Sequence, residues 1–352
     1  MGVQDVEDAL GNLSRQGYLD GRGWLLSPRR PVVVVGGAIM DLKIQTKAAP
    51  ALHTSNPGHA IWTPGGVGRN IAETLARLGN PVELIAVVGA DSAGVEITER
   101  TKAAGVGVNH IVRTNDPTGV YCAVVDADGE LVIGVSDLQA TDSLTVRMVM
   151  PHRDLIASAE LLVVDGNLGP QVVGWLLEYA AAAGVPAVLD TVSVAKSARL
   201  ADVVGPARPV HTLTPNLDEL GSLIGQVVEP DRAAIIAATE VLHDQGVEHV
   251  WVRRGPSGSL LSSADASGRQ VTEFSAPSAH VVDVTGAGDS MSAGFIHSWL
   301  EVGDVVEAAA FGQALASLTV ESTDTVRGDL TSALVHERLR RDHPPHSVSG
   351  ER

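Results

Sequence analysis

Short β-branched runs recur along this chain, at Val32–Val35, Val82–Val88, Leu161–Val164, Ala187–Leu189, His211–Leu213 and His249–Val252. Helical periods fill most of the gaps, among them Asn70–Leu78, Gln171–Ala183 and Arg232–His243. Strand and helix periods that alternate in this way predict βαβ units and a mostly parallel sheet flanked by helices. Two segments break the pattern. Gly119–Val125 and Leu131–Val135 flank the turn Asp126-Ala127-Asp128-Gly129 with no helical period between them and predict a hairpin. With Leu42–Gln45 and His59–Trp62 that hairpin builds a second, smaller sheet. The expected fold is therefore α/β: one body over residues 31–339, with a β lid drawn from roughly 39–63 and 118–136.

The composition allows such a body and narrows its partners. Hydrophobic residues make up 44% of 352 and charged residues 19%, enough for a sizeable core. The formal net charge of -17 argues against nucleic acid or an anionic membrane as the main partner, since both attract positive surfaces. No apolar run approaches the length of about 20 residues that a membrane span needs, and the acidic N-terminus lacks a signal-like apolar core. A soluble cytoplasmic protein is expected. Cys122 is the single cysteine, in an apolar run, and reads as core filler; the 12 histidines show no ligand-like spacing for zinc.

Residues 1–30 differ from the rest. A helical stretch from Val6 to Leu13 precedes two short strands around the glycines of Gln16–Leu26. The segment resembles the end of a winged helix-turn-helix domain without its supporting helices, and an N-terminal arm is the preferred reading over DNA recognition. At the other end, residues 340–352 carry His343-Pro344-Pro345-His346 and are expected to be disordered.

Three peptides carry chemistry. In Val281-Val282-Asp283-Val284-Thr285-Gly286-Ala287-Gly288-Asp289, a strand is expected to end near Val284 and turn sharply into a helix reaching about Leu300. The free N–H groups at that helix start suit an anion, so Gly286, Ala287 and Gly288 are the candidate anion hole for a transferring phosphoryl group. Asp289 on the same turn is the candidate base for an attacking hydroxyl; an Asp that merely caps the helix is the alternative. Thr63-Pro64-Gly65-Gly66-Val67-Gly68-Arg69-Asn70 is a glycine loop. In it Gly65 and Gly66 allow close approach of a substrate, and Asn70 offers donor and acceptor to vicinal hydroxyls, or else caps its helix. In Thr214-Pro215-Asn216-Leu217-Asp218-Glu219, Asn216 and Glu219 lie one helical turn apart. They are candidates to hold Mg2+ and phosphate through water, in competition with plain capping.

Together these peptides, in this order and spacing, resemble the PfkB/ribokinase family of carbohydrate kinases over roughly residues 31–330. The resemblance implies a ribokinase-like, Rossmann-type sandwich with ATP near the Thr285–Asp289 turn. It implies that Asp41 holds ribose hydroxyls beside Gly66 and Asn70, and that Asp283 and Thr285 face a monovalent cation such as K+. It also implies that Arg254, Gly255 and Gly258 lie near the nucleotide, with Asn216, Gly286 and Gly288, and that two chains pair through their lids. Several details are similar to the pseudouridine kinase branch of that family. These are Ser55 and Asn56 in the lid, Val67 inside the glycine loop, Asn167 after a strand, Asp190-Thr191-Val192-Ser193 and Ser136-Asp137. Ile39 departs from the Asn expected before Asp41. The expected reaction is transfer of the ATP γ-phosphate to the 5′-hydroxyl of a ribonucleoside, pseudouridine first. A ribose or other nucleoside kinase and a nucleoside-sensing DNA-binding regulator are the alternatives. A dehydrogenase is a weaker one, since the GxGxxG spacing is absent, as is the P-loop pattern.

Overall fold

The computed structural model describes residues 29–265 and 268–342. The expected winged-helix-like segment falls almost wholly on residues outside that range. Nine strands form the main sheet in the order β13-β12-β11-β10-β9-β8-β1-β4-β5. Seven of them run parallel: β1 (Val32–Val35), β4 (Val82–Gly89), β5 (Gly107–Thr114), β8 (Leu161–Asp165), β9 (Ala187–Asp190), β10 (Val210–Leu213) and β11 (Val247–Arg253). At one edge β12 (Ser259–Asp265) and β13 (Gly268–Phe274) pair antiparallel. The central strands are continuous apolar runs because helices cover both faces. Val32–Val35 is at most 1% exposed throughout, and its alternate side chains feed two separate cores.

The lid is the second sheet, in the order β3-β2-β6-β7, from β2 (Ile39–Thr46), β3 (Gly58–Gly65), β6 (Val120–Val125) and β7 (Leu131–Asp137). Its register sets which residues share a face. Asp41 pairs with Thr63 and Tyr121, and Lys43 with Ile61 and Ala123, on one face. Leu42, Trp62, Cys122 and Val135, with Ile44 and Ile133, fall on the other.

Four expectations change. No strand leads into the Thr285–Asp289 turn: Val281 and Val284 are 60% and 68% exposed, and the backbone N–H groups of Val282 and Asp283 donate to the Val320 carbonyl instead. The helix of the glycine loop spans Val67–Arg77, so Gly68 and Arg69 already lie in its first turn. Arg340–Asp342 close the helix Ser332–Asp342, while 343–352 lie outside the described residues. Cys122 is half-buried in a lid strand and fills no core. Among the described residues no helix is long and apolar enough to cross a membrane.

Candidate active site

The loops that follow β1, β8, β9, β10 and β11 leave the sheet at one end, the carboxyl ends of its parallel strands, where open α/β sheets place their ligands. Two buried acids end neighbouring strands there and pair in register, Asp165 on β8 and Asp190 on β9. Asp165 Oδ2 accepts from the backbone N–H groups of Gly37 (2.8 Å) and Gly68 (3.0 Å), and Oδ1 from that of Asn167 (2.8 Å). One carboxylate thus ties the loop after β1 and the glycine loop to β8. Asp190 accepts from the hydroxyls of Thr214 (3.1 Å) and Ser292 (3.0 Å) and from Val192 N–H (3.0 Å). That last contact holds Val192 at φ 66°, a conformation rare for a β-branched residue and of the kind that concentrates at functional sites.

The helix Val67–Arg77 presents Asn70 inward. Its Nδ2 donates to Asp289 Oδ2 at 2.8 Å, joining two peptides 219 positions apart. Asn70 Oδ1 accepts from Arg69 (3.1 Å), whose guanidinium also donates to the Pro64 carbonyl (2.8 Å) and pairs with Glu73. The Asn70 amide is therefore fixed in orientation from both ends. Beside it, Gly65 pairs with Ile39 at the base of the lid hairpin, and any side chain at Gly65 would collide with the Asp41 carboxylate. Burial pushes the Asp41 carboxyl up to about 6, against the lowering pull of Arg69.

Asp289 lies in the first turn of the helix Ala287–Val302, whose N-cap is Gly286 at φ 77°. A side chain at Gly286 would strike the Thr325 carbonyl. No side chain caps this helix, so its leading N–H groups are left to an anion. The Ala287 amide donates to the Val284 carbonyl (3.2 Å), which leaves the later amides of the turn as the better donors. Burial pushes Asp289 up to about 7, and the charges of Asp190 and Asp165 add to the shift; the Asn70 hydrogen bond and Arg253 oppose it.

Arg253, which no motif singled out, supplies the cation. Its Nη1 would lie 2.5 Å from a side chain built on Gly288, so the guanidinium covers the helix start. Asp190 (3.5 Å) and Glu219 (3.3 Å) hold it there. Arg254, the expected neighbour of the nucleotide, turns to Glu273 (3.0 Å) and the Ser259 carbonyl. Gly255 and Gly258 bound the short turn after β11. Asn216 and Glu219 form a reciprocal capping box, and Glu219 Oε2 also accepts from Thr191 at 2.6 Å. These side chains face each other, so an ion at this turn is held through water or has to open the box.

Ser55 and Asn56 do not join the site. Both are exposed beyond the far end of the lid hairpin, about 23 Å along β3 from Gly65 at the usual strand rise. Asn56 closes its own loop through the N–H and carbonyl of Ala51. Asn167 is half-buried at the mouth, its backbone fixed by Asp165. Asp283 accepts from Thr285 (2.7 Å) and pairs with Lys43 of the lid (2.7 Å), so the expected cation position already faces an ammonium. Among these residues the sequence reading gave no role to Asp165, Arg253 and Lys43, and it had Asp190 only as a detail of the family branch. The two acids did carry a signal, a charge closing an otherwise apolar strand.

Comparison with known proteins gives the family and the fold. The family model described as pfkB family carbohydrate kinase matches residues 29–331. The chain belongs to the PfkB family. It is a phosphotransferase acting on an alcohol group, a sugar or nucleoside kinase. Among curated PfkB relatives it is 33% identical to the uncharacterized sugar kinase YeiI of Escherichia coli K12, over 88% of this chain and 83% of that one. It is 32% identical to the pseudouridine kinase of the same organism, over 86% and 95%. A carbohydrate kinase from Agrobacterium tumefaciens superposes with a TM-score of 0.74 at 29% identity, covering 88% of this chain and 97% of the other. Arabidopsis thaliana ribokinase, solved with ribose and ATP, shares the fold at a TM-score of 0.76 and 24% identity over 89% and 99%.

Proposed function

We propose that this kinase transfers the γ-phosphate of ATP to the 5′-hydroxyl of a ribonucleoside, with pseudouridine its preferred substrate. The observation that carries the reaction is the 2.8 Å bond from Asn70 to Asp289, which sets a sugar-binding amide beside a carboxyl that burial pushes up to about 7. Asp41 and Asn70 hold the ribose, and Asp289 takes the hydroxyl proton. The amides after Gly286, with Arg253, stabilise charge on the transferring group. Magnesium supplies further neutralisation of the phosphates. The oxygen-only donors of Asn216 and Glu219 suit it as water-mediated partners, since the capping box occupies them directly. The substrate assignment rests on the similarity to pseudouridine kinases of Escherichia coli and of Arabidopsis thaliana, the latter 28% identical. ADP release with Mg·ATP and pseudouridine, uridine, adenosine or ribose in turn tests it. Turnover on ribose or another nucleoside alone would change the substrate, and silence on all four would favour a nucleoside sensor.

Lys43 bears on potassium. Its ammonium neutralises Asp283 from the lid side; burial pushes that carboxyl up, but the hydrogen bonds from Lys43 and Thr285 and the Lys43 charge outweigh it and leave the carboxyl below the usual range. In Lys43→Met the carboxylate is free to recruit a monovalent ion, so turnover is expected to rise several-fold more with added KCl than in the parent. An equal potassium response in both proteins would remove Asp283 from the cation site.

The lid's outer face bears on assembly. Lys43 and Asp41 point to the site, so Leu42, Ile44, Trp62, Cys122, Ile133 and Val135 point away from it. Trp62, Ile133 and Val135 are each more than half exposed, and the patch carries no charge. A second copy of the chain, meeting the same face by two-fold symmetry, covers it best. The native mass is expected at twice 36.5 kDa, and Trp62→Glu is expected to halve it. A parent chain that sediments as a monomer at assay concentration would rule this out.

A further inference from the structure

The far end of the sheet holds a second cluster that phosphoryl transfer does not use. His211 lies near the start of β10, and Glu248 and His249 near the start of β11. Arg253 is about 13 Å further along β11 by strand rise. One ligand-type atom from each of His211, Glu248 and His249 lies within 4.8 Å of the other two. His249 Nε2 and Glu248 Oε1 are 3.6 Å apart, against roughly 3.4 Å for two ligands on a tetrahedral zinc with bonds near 2.05 Å. Each ring also has an outer partner at Nδ1. Ser263 Oγ is 2.9 Å from that of His249, and Thr212 Oγ1 is 2.8 Å from that of His211. Metal-bound imidazoles carry partners of this kind, which leave Nε2 of each ring to the ion.

We propose that His211, Glu248 and His249 form a binding site for a zinc-type divalent transition ion, separate from the phosphoryl-transfer centre. The mixed nitrogen and carboxylate donor set selects such an ion over magnesium, which demands oxygen. A cleft of about 430 Å³ opens at the starts of β9, β10 and β11, with His211, His243 and Glu248 in its wall. It gives an entry path and room for water as the fourth ligand. Trp299 packs on the His211 ring at 4.2 Å between centroids and fixes its plane. The protonation states agree with ligation. Burial, with the neighbouring His249, pushes His211 down to about 3, and burial pushes His249 down to about 4 against the pull of Asp265. Both rings are thus neutral near pH 7, the form that binds metal. Glu248 is raised by burial and by Asp265, a combination that a bound cation relieves. Spacing along the chain gave no hint, because the ligands come from two strands that meet only through the parallel pairing of β10 with β11.

The test uses the full chain, stripped with chelator and kept in excess Mg2+ so that the phosphate site is not available to the probe. Zn2+ is titrated calorimetrically, and Co2+ by the visible absorption that a low-symmetry nitrogen and oxygen site gives. One saturating equivalent is expected, with a rise in melting temperature. His211→Gln and Glu248→Gln are each expected to weaken binding by more than about tenfold, while leaving the metal-free melting temperature and Mg·ATP turnover near those of the parent. His249 is 3% exposed, so its replacement is left out as a threat to folding. No saturable equivalent in the parent, or equal affinity in both variants, would overturn the site.

Discussion

Asp289→Asn is expected to lower turnover by roughly 10²–10⁴-fold with little change in the KM for ATP. The asparagine keeps the volume and can still meet Asn70, but it takes up no proton. The group it replaces stands out in its surroundings. Burial and the charges of Asp190 and Asp165 push its carboxyl up to about 7, so it gains and loses a proton near working pH. In the parent, kcat/KM for the nucleoside is expected to rise with pH through about 7 as this base ionises, and the variant is expected to lose that limb. Stability moves the opposite way. An acid whose folded pKa lies above its unfolded value binds its proton more tightly in the folded chain, so its contribution is greatest below about 3.8 and is lost as pH climbs past about 7. The asparagine does not titrate there. It is therefore expected to gain on the parent between those limits, by about 2–3 kcal/mol, less than the full shift would convert to because part of the residue reaches solvent. Turnover within tenfold of the parent, with the pH limb retained, would place the base elsewhere.

What could be read beforehand depended on how local each determinant is. The parallel strands were legible because burial on both faces demands continuous apolar runs, as in Val32–Val35 and Leu161–Val164. The lid hairpin was legible because two apolar, strand-forming runs flank a tight turn that closes on Gly129, at φ 90°. Asp289 and Asn70 were legible since each sits in a glycine turn whose backbone has few other uses, and the structure brings them within one hydrogen bond. Val281–Val284 misled, because a β-branched run predicts a strand only where a neighbouring strand has an edge to offer. Here the Val320 carbonyl, at the end of a helix, takes the amides. Ser55 and Asn56 misled since nearness in sequence to the glycine loop is not nearness in space when an eight-residue strand intervenes. Arg253 and Arg254 alternate across a strand end, so which of them faces the helix start is decided by register, and sequence alone does not print it.

Asp165→Ala is expected to damage both stability and substrate binding, because this carboxylate joins scaffold to site. It accepts three backbone N–H groups at 2.8–3.0 Å, from Gly37, Gly68 and Asn167, in a fully buried position. Alanine leaves those amides without acceptors and without access to water. At about 1–3 kcal/mol for each unsatisfied buried group, partly offset by removing a buried acid, a loss of about 3–5 kcal/mol is expected. The kinetic effect follows from what Gly68 begins. It lies in the first turn of the helix that carries Asn70, and the Arg69 N–H is fastened to the Gly37 carbonyl at 3.0 Å. Released from Asp165, this turn shifts, and a displacement of about 1 Å at Asn70 is enough to cost roughly 10²-fold in rate. Asp165→Asn separates the two oxygens. Its single carbonyl serves either the Gly37 and Gly68 pair or Asn167, while its amide opposes the other side. About half the stability loss is therefore expected, with a raised KM for the nucleoside if the loop pair is the side abandoned. Urea unfolding together with steady-state kinetics on both variants reads the two effects apart. Lower stability with unchanged KM and kcat would make Asp165 a strand-end support alone, whereas an alanine variant as stable as the parent would mean that the amides find other acceptors and that the carboxylate does not tie the loops.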